Sequence, residues 1–304
     1  MNFKREKEFL VAVDSDGSVF PTMEIKQKEC VHPALMDQWD LWKIEKEVRM
    51  VAEWVNLYSV HRGINRFLAL KMVFDYLRNM PEVREKGVAI RLTEDLVGFL
   101  GSGLPTSNEA LAEYAAERPE LNDFLDWSRS ATKRIAERCR RIPPFPFARE
   151  SLEKMRTVSD LVVVSATPTE TLISEWRESG LDQLVVSIAG QEFGSKKEQL
   201  QAFCIGEYPS DQALMIGDAP GDLKAVKEFN GLFFPINPGR ESLSWKRFLD
   251  ESGKRFLSGA YAGVYESSLI REFETILLGS VNVARPFQTF YVKPIVLTWG
   301  DGPR

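Results

Sequence analysis

The sequence is poor in the residues on which many catalytic centres depend. Its 304 residues include two histidines, His32 and His61, and three cysteines, Cys30, Cys139 and Cys204. Neither histidine lies in a metal-binding or catalytic-triad motif, and the cysteines are widely spaced and odd in number. A zinc site, a Ser-His-Asp hydrolase and a disulfide framework are therefore disfavoured. We expect reduced, buried thiols and a chemistry of carboxylates, lysine and hydroxyls.

Long apolar runs and extremes of charge are lacking as well. No stretch approaches the roughly 18 apolar residues of a membrane-spanning helix, and 39 Lys+Arg against 44 Asp+Glu give a net charge of −5. The basic run from Lys133 to Arg141 lacks interleaved aromatic residues, which is more typical of a solvated helix face than of a nucleic-acid site. The sequence thus predicts a cytoplasmic protein with no nucleic-acid or membrane partner, and it leaves the oligomeric state open.

Short runs of apolar, often β-branched residues predict buried strands. The five runs are Phe9–Val13, Leu161–Val164, Leu184–Ile188, Ala213–Ile216 and Leu232–Ile236. Between the last four lie segments with helical spacing, such as Thr169–Glu178 and Lys196–Phe203. This alternation predicts an α/β fold with a doubly wound parallel sheet.

Two of these helices have legible N-termini. Thr167-Pro168-Thr169-Glu170 combines an N-cap threonine, a proline at the first helical position and an acid at the third. Ser195-Lys196-Lys197-Glu198 has the spacing of a capping box. Each sequence fixes where a helix begins, and therefore which residues lie at the adjoining strand end.

More than 140 residues separate the first two strands, too many for one crossover helix. Apolar spacing there predicts five helices, Ala34–Tyr58, Asn65–Asn79, Thr93–Leu100, Ser107–Arg118 and Leu121–Arg141. Pro21 and Ile142-Pro143-Pro144 mark the boundaries. We predict an α/β core domain at 1–21 and 144–240 and a helical domain at 22–143, called the helical insert below. A C-terminal extension follows at 241–304, with helices around Ser242–Leu249 and Ser267–Leu278 and then an irregular, proline-containing tail.

Acidic residues follow the predicted strands. The first strand runs into Asp14-Ser15-Asp16-Gly17, the second into Ser165-Ala166-Thr167, and the fourth into Gly217-Asp218-Ala219-Pro220-Gly221-Asp222. The carboxyl ends of parallel strands form the ligand-binding edge of such a sheet. Carboxylates that converge there would repel one another unless a cation neutralised them, and an all-oxygen donor set suits Mg²⁺.

The same edge offers groups suited to a phosphate and to its transfer. The backbone of the Gly17 turn, the Ser165 hydroxyl and Lys196 can donate hydrogen bonds to phosphate oxygens. Asp14 is ionised at neutral pH and needs no base to act as a nucleophile. Asp16, two residues further on, can protonate the leaving alcohol if the turn at Gly17 directs its side chain towards the substrate.

At these residues the sequence resembles the haloacid-dehalogenase-like (HAD) superfamily. Its four motifs occur in order: Asp14-Ser15-Asp16-Gly17-Ser18, Ser165, the lysine of Gly194-Ser195-Lys196-Lys197, and Gly217-Asp218-Ala219-Pro220-Gly221-Asp222. The resemblance covers residues 1–21 and 144–240. It implies a HAD-like Rossmannoid core, with the helical insert as a C1-type cap that selects the substrate.

The resemblance also implies a role for each motif residue. Asp14 would form an aspartyl-phosphate, Asp16 would be the general acid and base, and Ser165 would bind phosphoryl oxygens. Lys196, or Lys197 in its place, would bridge Asp14 and the phosphate. Mg²⁺ would be held by Asp14, the backbone carbonyl of Asp16, Asp218 and Asp222. Gly17 and Ala166 would contact the substrate. An acid at position 16 is typical of phosphatases and phosphomutases, whereas dehalogenases generally lack it.

Arginines in the helical insert are candidates for substrate selection. Ser59–Arg66 is expected to begin a helix with Arg62 and Arg66 on one face, where they could bind an anionic or hydroxylated substrate, or could simply be surface charges. The leading hypothesis is a Mg²⁺-dependent phosphatase that acts on a small phosphorylated metabolite. A phosphomutase is the second enzymatic hypothesis, and a phospho-ligand binding or scaffolding protein is the non-enzymatic one.

Overall fold

A five-stranded parallel sheet is the centre of the α/β region in the computed structural model, which describes residues 3–203 and 205–283. The strands are β1 (Phe9–Val13), β2 (Ser159–Val164), β3 (Ser187–Ala189), β4 (Ala213–Gly217) and β5 (Leu232–Pro235). Their order in the sheet is β3-β2-β1-β4-β5. Separate hydrophobic clusters cover the two faces of the sheet. The predicted α/β, doubly wound parallel fold is confirmed.

The register of the central strand brings the predicted site residues to one edge. Val13 of β1 lies opposite Val163 of β2 and Ile216 of β4. The residues that follow these strands therefore emerge side by side. The Asp14 amide still donates to the Ile216 carbonyl at 2.9 Å, so the sheet holds the backbone of Asp14 in place.

The third strand differs from its prediction of Leu184–Ile188. Leu184 ends a 3₁₀ helix (Asp182–Leu184) and buries its side chain against the sheet, and the strand itself is Ser187–Ala189. Val186 is 52% exposed. The apolar run therefore combines a buried residue at the end of the 3₁₀ helix with an exposed residue just before the edge strand β3, and composition alone does not distinguish these from a buried strand.

The helical insert contains eight α-helices. They are α1 (Thr22–Ile25), α2 (His32–Gln38), α3 (Glu45–Leu57), α4 (Arg66–Asn79), α5 (Pro81–Glu85), α6 (Glu94–Leu100), α7 (Asn108–Ala115) and α8 (Asn122–Arg138). A π-helical segment, Lys26–Val31, joins α1 to α2, and 3₁₀ turns occur at Trp42–Ile44 and Pro119–Leu121. Their buried apolar residues form a hydrophobic cluster separate from the two on the sheet. The division into two domains at residues 22 and 143 stays a prediction.

One long predicted helix, Ala34–Tyr58, is wrong. The chain leaves α2 after Gln38, and Asp40 adopts a left-handed conformation with φ of 50° before α3 begins at Glu45. Apolar residues on both sides of the break enter the same hydrophobic cluster. The spacing of apolar residues therefore continues across a turn, which hides the break from a search for periodicity.

The remaining helices flank the sheet or belong to the C-terminal extension. They are α9 (Ala148–Met155), α10 (Thr169–Glu178), α11 (Lys196–Ala202), α12 (Pro220–Lys227), α13 (Glu241–Arg247), α14 (Gly253–Leu257) and α15 (Val264–Val283), with a π-helical segment at Phe248–Ser252. Short 3₁₀ helices occur at Gln191–Phe193, Ile205–Glu207 and Ser210–Gln212. The range of α10 is confirmed, and so is the capping box of Ser195 and Glu198. The predicted Thr167 cap is wrong, because Pro168 is the N-cap and the Thr167 hydroxyl donates instead to Asp16.

The described part of the C-terminal extension covers the free edge of the sheet. β5 is an edge strand, and its residue Phe233 donates its amide to Glu266 at 2.7 Å while its carbonyl accepts from the Tyr261 hydroxyl at 2.7 Å. Trp245 adds an apolar anchor and donates to the Ser18 carbonyl at 2.7 Å. The extension thus satisfies polar groups that an uncovered edge would expose. The predicted irregular tail lies outside the described residues.

Two of the three cysteines lie within the described residues. Cys30 is fully buried, Cys139 is partly exposed, and both are free thiols, while Cys204 lies outside the described residues. Within residues 3–203 and 205–283, no helix combines the length and apolar character needed to cross a bilayer.

Candidate active site

The turn after β1 carries two aspartates and depends on a glycine. Gly17 has φ of 80°, a conformation that side chains disfavour, and its amide donates to the Phe20 carbonyl at 2.8 Å. A Cβ atom at this position would overlap the side chains of Asp218 and Arg62. The glycine therefore allows two other site residues to approach the backbone of the turn.

Three carboxylates meet at the carboxyl edge of the sheet. Asp14, Asp218 and Asp222 are buried, and one oxygen of each lies within 4.8 Å of the others. Asp222, in the first turn of α12, accepts hydrogen bonds from the amides of Asp218 at 3.1 Å and Ala219 at 3.0 Å. The first turn of α12 is thereby fastened to the end of β4, and the carboxylate group of Asp218 is held beside that of Asp14.

The electrostatics of this triad favour the arrival of a cation. Burial, with the neighbouring charges of Asp222 and Asp218, raises the pKa of Asp14 well above its usual value despite the opposing charge of Lys196. Burial, opposed by Lys196 and assisted by the charge of Asp218, also raises the pKa of Asp222. Further positive charge would relieve both effects.

Of the two adjacent lysines, the structure brings Lys196 into the site. Its ammonium lies 3.0 Å from Asp14 Oδ1 and also contacts Asp222. Burial would lower its pKa, but the two carboxylates outweigh burial and raise it. Lys197 is 54% exposed and pairs with Glu228 at 2.5 Å. The geometry thus separates the two candidates that the motif left open.

Asp16 lies outside the triad and has its own partners. The Lys26 ammonium donates to Oδ1 at 2.7 Å and to Oδ2 at 2.6 Å. The Thr167 hydroxyl donates to Oδ2 at 2.6 Å, and the Thr22 hydroxyl donates to Oδ1. Burial alone would raise the pKa of Asp16, but Lys26 and the hydroxyls outweigh it and lower the pKa. Asp16 is therefore an ionised, fully hydrogen-bonded carboxylate.

Arg62 of the helical insert contacts Asp218, the first acid of the fourth motif and a candidate metal ligand. Its Nε donates to Asp218 Oδ2 at 2.6 Å, its Nη2 lies 2.5 Å from the same oxygen, and its Nη1 donates to the Leu57 carbonyl at 2.7 Å. Ser18 donates to the other oxygen of Asp218 at 2.8 Å. The pair is 1–2% exposed, so the helical insert closes directly over the sheet edge.

The predicted shared helix face of Arg62 and Arg66 is wrong. Arg62 lies in a turn, and α4 begins only at Arg66, because Asn65 caps the helix by accepting from the Phe67 amide at 2.9 Å. Arg66 donates to the Ser128 carbonyl at 3.2 Å and to the Thr132 hydroxyl at 2.8 Å. Its hydrogen bonds are to α8 and not to the acids of the site, so this geometry does not support a substrate-binding role for Arg66.

The end of β2 places the second motif beside the triad. Ser165 is buried, its amide donates to the Ala189 carbonyl at 3.1 Å, and its hydroxyl accepts from the Thr167 amide at 3.2 Å. Gln199 of α11 donates to the Ser165 carbonyl at 2.9 Å. Ala166 is exposed at the same strand end. The roles predicted for Ser165 and Ala166 remain predictions.

The donor set fits a hard divalent cation. Asp14, Asp218 and Asp222 provide only oxygen atoms, which Mg²⁺ prefers, and they are buried and close enough to share one ion. The carboxylate of Asp16 does not join this group, so any contribution of Asp16 to a metal would come from its backbone carbonyl. Arg62 and Lys196 now supply the positive charge beside the triad.

Sequence reasoning missed Lys26, Thr22 and Glu175. Lys26 and Thr22 lie in the short helical segments after the first motif, where no motif marks them. Burial raises the pKa of Glu175 to about 7, with the charge of Asp16 adding to the effect, and the charge of Glu175 also acts on Lys26. Sequence reasoning could not find these residues because Thr22 and Lys26 meet Asp16 only when the chain folds back over it, and no local pattern indicates that contact.

No family model matches the chain, and no curated protein matches it significantly. Among solved structures, the fold is similar to a chain from Lactobacillus delbrueckii subsp. bulgaricus described as a phosphoglycolate phosphatase, with 16% identity, TM-score 0.46, and coverage of 81% of this chain and 92% of that one.

Two further solved structures are a haloacid-dehalogenase-like hydrolase from Streptococcus pneumoniae and a hydrolase from Pseudomonas syringae. The first has 15% identity, TM-score 0.41, and coverage of 78% of this chain and 90% of that one. The second has 16% identity, TM-score 0.43, and coverage of 79% and 90%.

Proposed function

We propose that this protein is a HAD-like phosphatase: a Mg²⁺-dependent phosphomonoesterase that acts on a small phosphorylated metabolite through an aspartyl-phosphate. One observation carries the proposal. Asp14, Asp218, Asp222 and Lys196 meet at one strand edge, and Asp16 follows the same strand two residues after Asp14. This set supplies a nucleophile, a cation site and a proton-transfer group. The helical insert, residues 22–143, would be the cap over this site.

In the first half-reaction, a carboxylate oxygen of Asp14 attacks phosphorus, and the bond from phosphorus to the alcohol oxygen breaks. Asp16 is ionised while Lys26 and the two hydroxyls hold it, so it must first take up a proton from solvent. The leaving oxygen then takes that proton from Asp16, and a neutral alcohol departs. Lys196, 3.0 Å from Asp14 Oδ1, holds the nucleophile and places positive charge beside the phosphoryl oxygens. Ser165 and the backbone of the Gly17 turn would bind those oxygens.

In the second half-reaction, Asp16 accepts a proton from water, whose oxygen attacks the phosphorus of the aspartyl-phosphate. The bond from phosphorus to Asp14 breaks, which restores the carboxylate and releases inorganic phosphate. Asp14, Asp218 and Asp222 would hold Mg²⁺, whose chemistry is to neutralise phosphoryl charge. The buried site limits the access of bulk water between the two half-reactions.

The test is phosphate release from a broad panel of phosphomonoesters, with and without EDTA, by the full-length protein. We expect Mg²⁺-dependent release of inorganic phosphate that EDTA removes. Conversion of a phosphosugar to its isomer without phosphate release would identify a phosphomutase instead. Tight binding of phosphorylated metabolites with no turnover across the panel would identify a binding protein and would contradict the proposal.

A further inference from the structure

The hydrogen bonds of Asp16 leave it no capacity for another partner. A carboxylate has about four acceptor positions. Lys26 occupies one on each oxygen, Thr167 occupies a second on Oδ2, and Thr22 a second on Oδ1. An ester oxygen or an incoming proton can therefore reach Asp16 only if one of these donors withdraws.

Lys26 is the donor whose withdrawal requires a replacement partner. The two threonine hydroxyls can rotate and accept other hydrogen bonds, but an ammonium group can only donate. The Lys26 side chain is 13% exposed, and a buried cation that loses its carboxylate pays a large desolvation cost. If Lys26 is the donor that withdraws, it needs another anion, which either Glu175, whose charge already acts on Lys26, or a charged group of the substrate can supply.

The geometry shows which part of the substrate can supply that anion. In the proposed reaction the ester oxygen lies within about 3 Å of an Asp16 oxygen. Lys26 Nζ lies 2.6–2.7 Å from both Asp16 oxygens. The ammonium is therefore within about 6 Å of the ester oxygen, on the side of the helical insert. This distance suits an anionic group two or three bonds beyond that oxygen.

We propose that Lys26 is a specificity-determining residue that binds a second anionic group, a carboxylate or a phosphate, on the alcohol portion of the substrate. This inference rests on the proposed phosphatase function. The second anion draws Lys26 away from Asp16, so the same contact recognises the substrate and frees Asp16 for proton transfer. A neutral leaving group of equal size leaves the Lys26–Asp16 pair intact and reacts slowly.

Matched esters test the inference on the wild-type protein with Mg²⁺. Carboxymethyl phosphate, whose carboxylate carbon lies two bonds beyond the ester oxygen, is compared with ethyl phosphate, with an activated aryl phosphate as a control for basic turnover. We expect kcat/KM to be about 10- to 100-fold higher for carboxymethyl phosphate than for ethyl phosphate.

Variants assign the preference to the lysine. Lys26→Met should remove most of the preference, chiefly by raising KM for the anionic esters, and Lys26→Arg should retain it because the charge remains. Lys28→Met is the matched control, because Lys28 lies two residues further along and pairs with Glu24 instead of Asp16. This control should keep the wild-type preference. Thermal unfolding of each variant verifies that it is folded.

The outcomes separate this inference from the proposed function. Equal kcat/KM for anionic and neutral esters in the wild type, or an undiminished preference in Lys26→Met, would overturn the role of Lys26 while leaving a phosphatase. Absence of turnover on every ester, including the aryl phosphate, would overturn the phosphatase proposal itself. If Lys26→Met does not fold, Lys26→Gln, which also removes the charge but keeps a polar side chain, takes its place, and an undiminished preference in that variant would equally overturn the role of Lys26.

Discussion

The sheet edge and the helical insert contribute opposite charges to the same site. Asp14, Asp218 and Asp222 follow strand ends, and their backbones are held by the sheet register or by the first turn of α12. Lys26 and Arg62 come from the insert and reach the acids with long side chains. The acids are therefore fixed by backbone position, whereas the cations can exchange partners when the side chains move.

This difference indicates a division of labour between the two regions. Groups that must stay at fixed distances, such as a nucleophile and metal ligands, belong on strand ends. Groups that must yield to a cation or a substrate are better placed on flexible side chains from a neighbouring segment. The following experiments test whether the acids of the sheet carry the chemistry and the cations of the insert control access to it.

The largest effect is expected from Asp14→Asn. Loss of the proposed nucleophile should lower kcat by about 10³-fold or more. The burial that raises the pKa of Asp14 penalises its charge, so a neutral amide should leave the free energy of unfolding equal or higher. Steady-state kinetics and denaturant unfolding at neutral pH measure the two quantities.

Asp160 is the matched control at the opposite end of the sheet. It is fully buried at the start of β2 and accepts hydrogen bonds from the amides of Glu6 and Lys7 at 3.0 Å and from the Tyr208 hydroxyl at 2.8 Å. Asp160→Asn should keep kcat within a few-fold and lower the free energy of unfolding by about 1–2 kcal/mol. Full activity in Asp14→Asn would disprove the nucleophile.

The next effect concerns the two adjacent lysines of α11. Lys196→Ala removes the ammonium that contacts both Asp14 and Asp222, and kcat should fall by roughly 10²- to 10³-fold. Lys197→Ala removes an exposed charge that pairs with Glu228, and kcat should change by less than about 3-fold. The comparison is made at saturating substrate. Similar losses in both variants would contradict the assignment of Lys196.

The strand ends of the sheet were predictable from sequence because the signals there are local. Apolar runs fix β1 and β4 to within a residue, and helix caps fix the start of α11, so Asp14, Asp218 and Lys196 are placed by nearby residues. Parallel pairing then brings them together without further information. The sequence alone therefore identifies the candidate acids.

The contribution of the helical insert could not be predicted in the same way. The positions of Lys26 and Arg62 depend on how the insert folds back over the sheet, and no local pattern encodes that placement. The apparent helical pairing of Arg62 with Arg66 failed because Asn65 starts the helix after Arg62. The packing of the C-terminal extension on β5 was unpredictable for the same reason, because Tyr261 and Glu266 bond to Phe233, which lies 28 and 33 residues away from them in the sequence.

Substitution of Arg62 should have a smaller effect, on the affinity of the site for a divalent cation. Its guanidinium shares Asp218 with the proposed Mg²⁺ site, so Arg62→Met should raise Mn²⁺ affinity by about 10-fold in calorimetric titration without substrate. Arg66→Met is the matched control, because Arg66 bonds to Ser128 and Thr132 instead, and its Mn²⁺ affinity should not change. A weaker affinity in Arg62→Met would show that Arg62 does not compete with the cation.

The smallest expected effect is on the pH dependence of stability, and it comes from a buried histidine in the interior of the helical insert. Acids at the sheet edge have charged partners, whereas both ring nitrogens of buried His32 lack a hydrogen-bond partner within the described residues. Burial, and then the charges of Arg49 and Lys28, lower its pKa to about 3. The folded protein therefore binds fewer protons than the unfolded chain below about pH 6.5, and stability falls as pH decreases through this window.

Comparison of wild type with His32→Leu isolates this contribution, because the other titrating groups are shared. Between about pH 7 and about pH 5.5, wild type should lose roughly 1 kcal/mol more free energy of unfolding than the variant. His61→Leu is the control. The pKa of His61 is lowered by partial burial alone, without the neighbouring charges that act on His32, so this variant should differ less from wild type in its pH dependence. Denaturant unfolding at each pH measures the difference. Identical pH slopes for wild type and His32→Leu would mean that His32 finds a partner in solution and that the interior of the insert, like the sheet edge, compensates its buried ionisable groups.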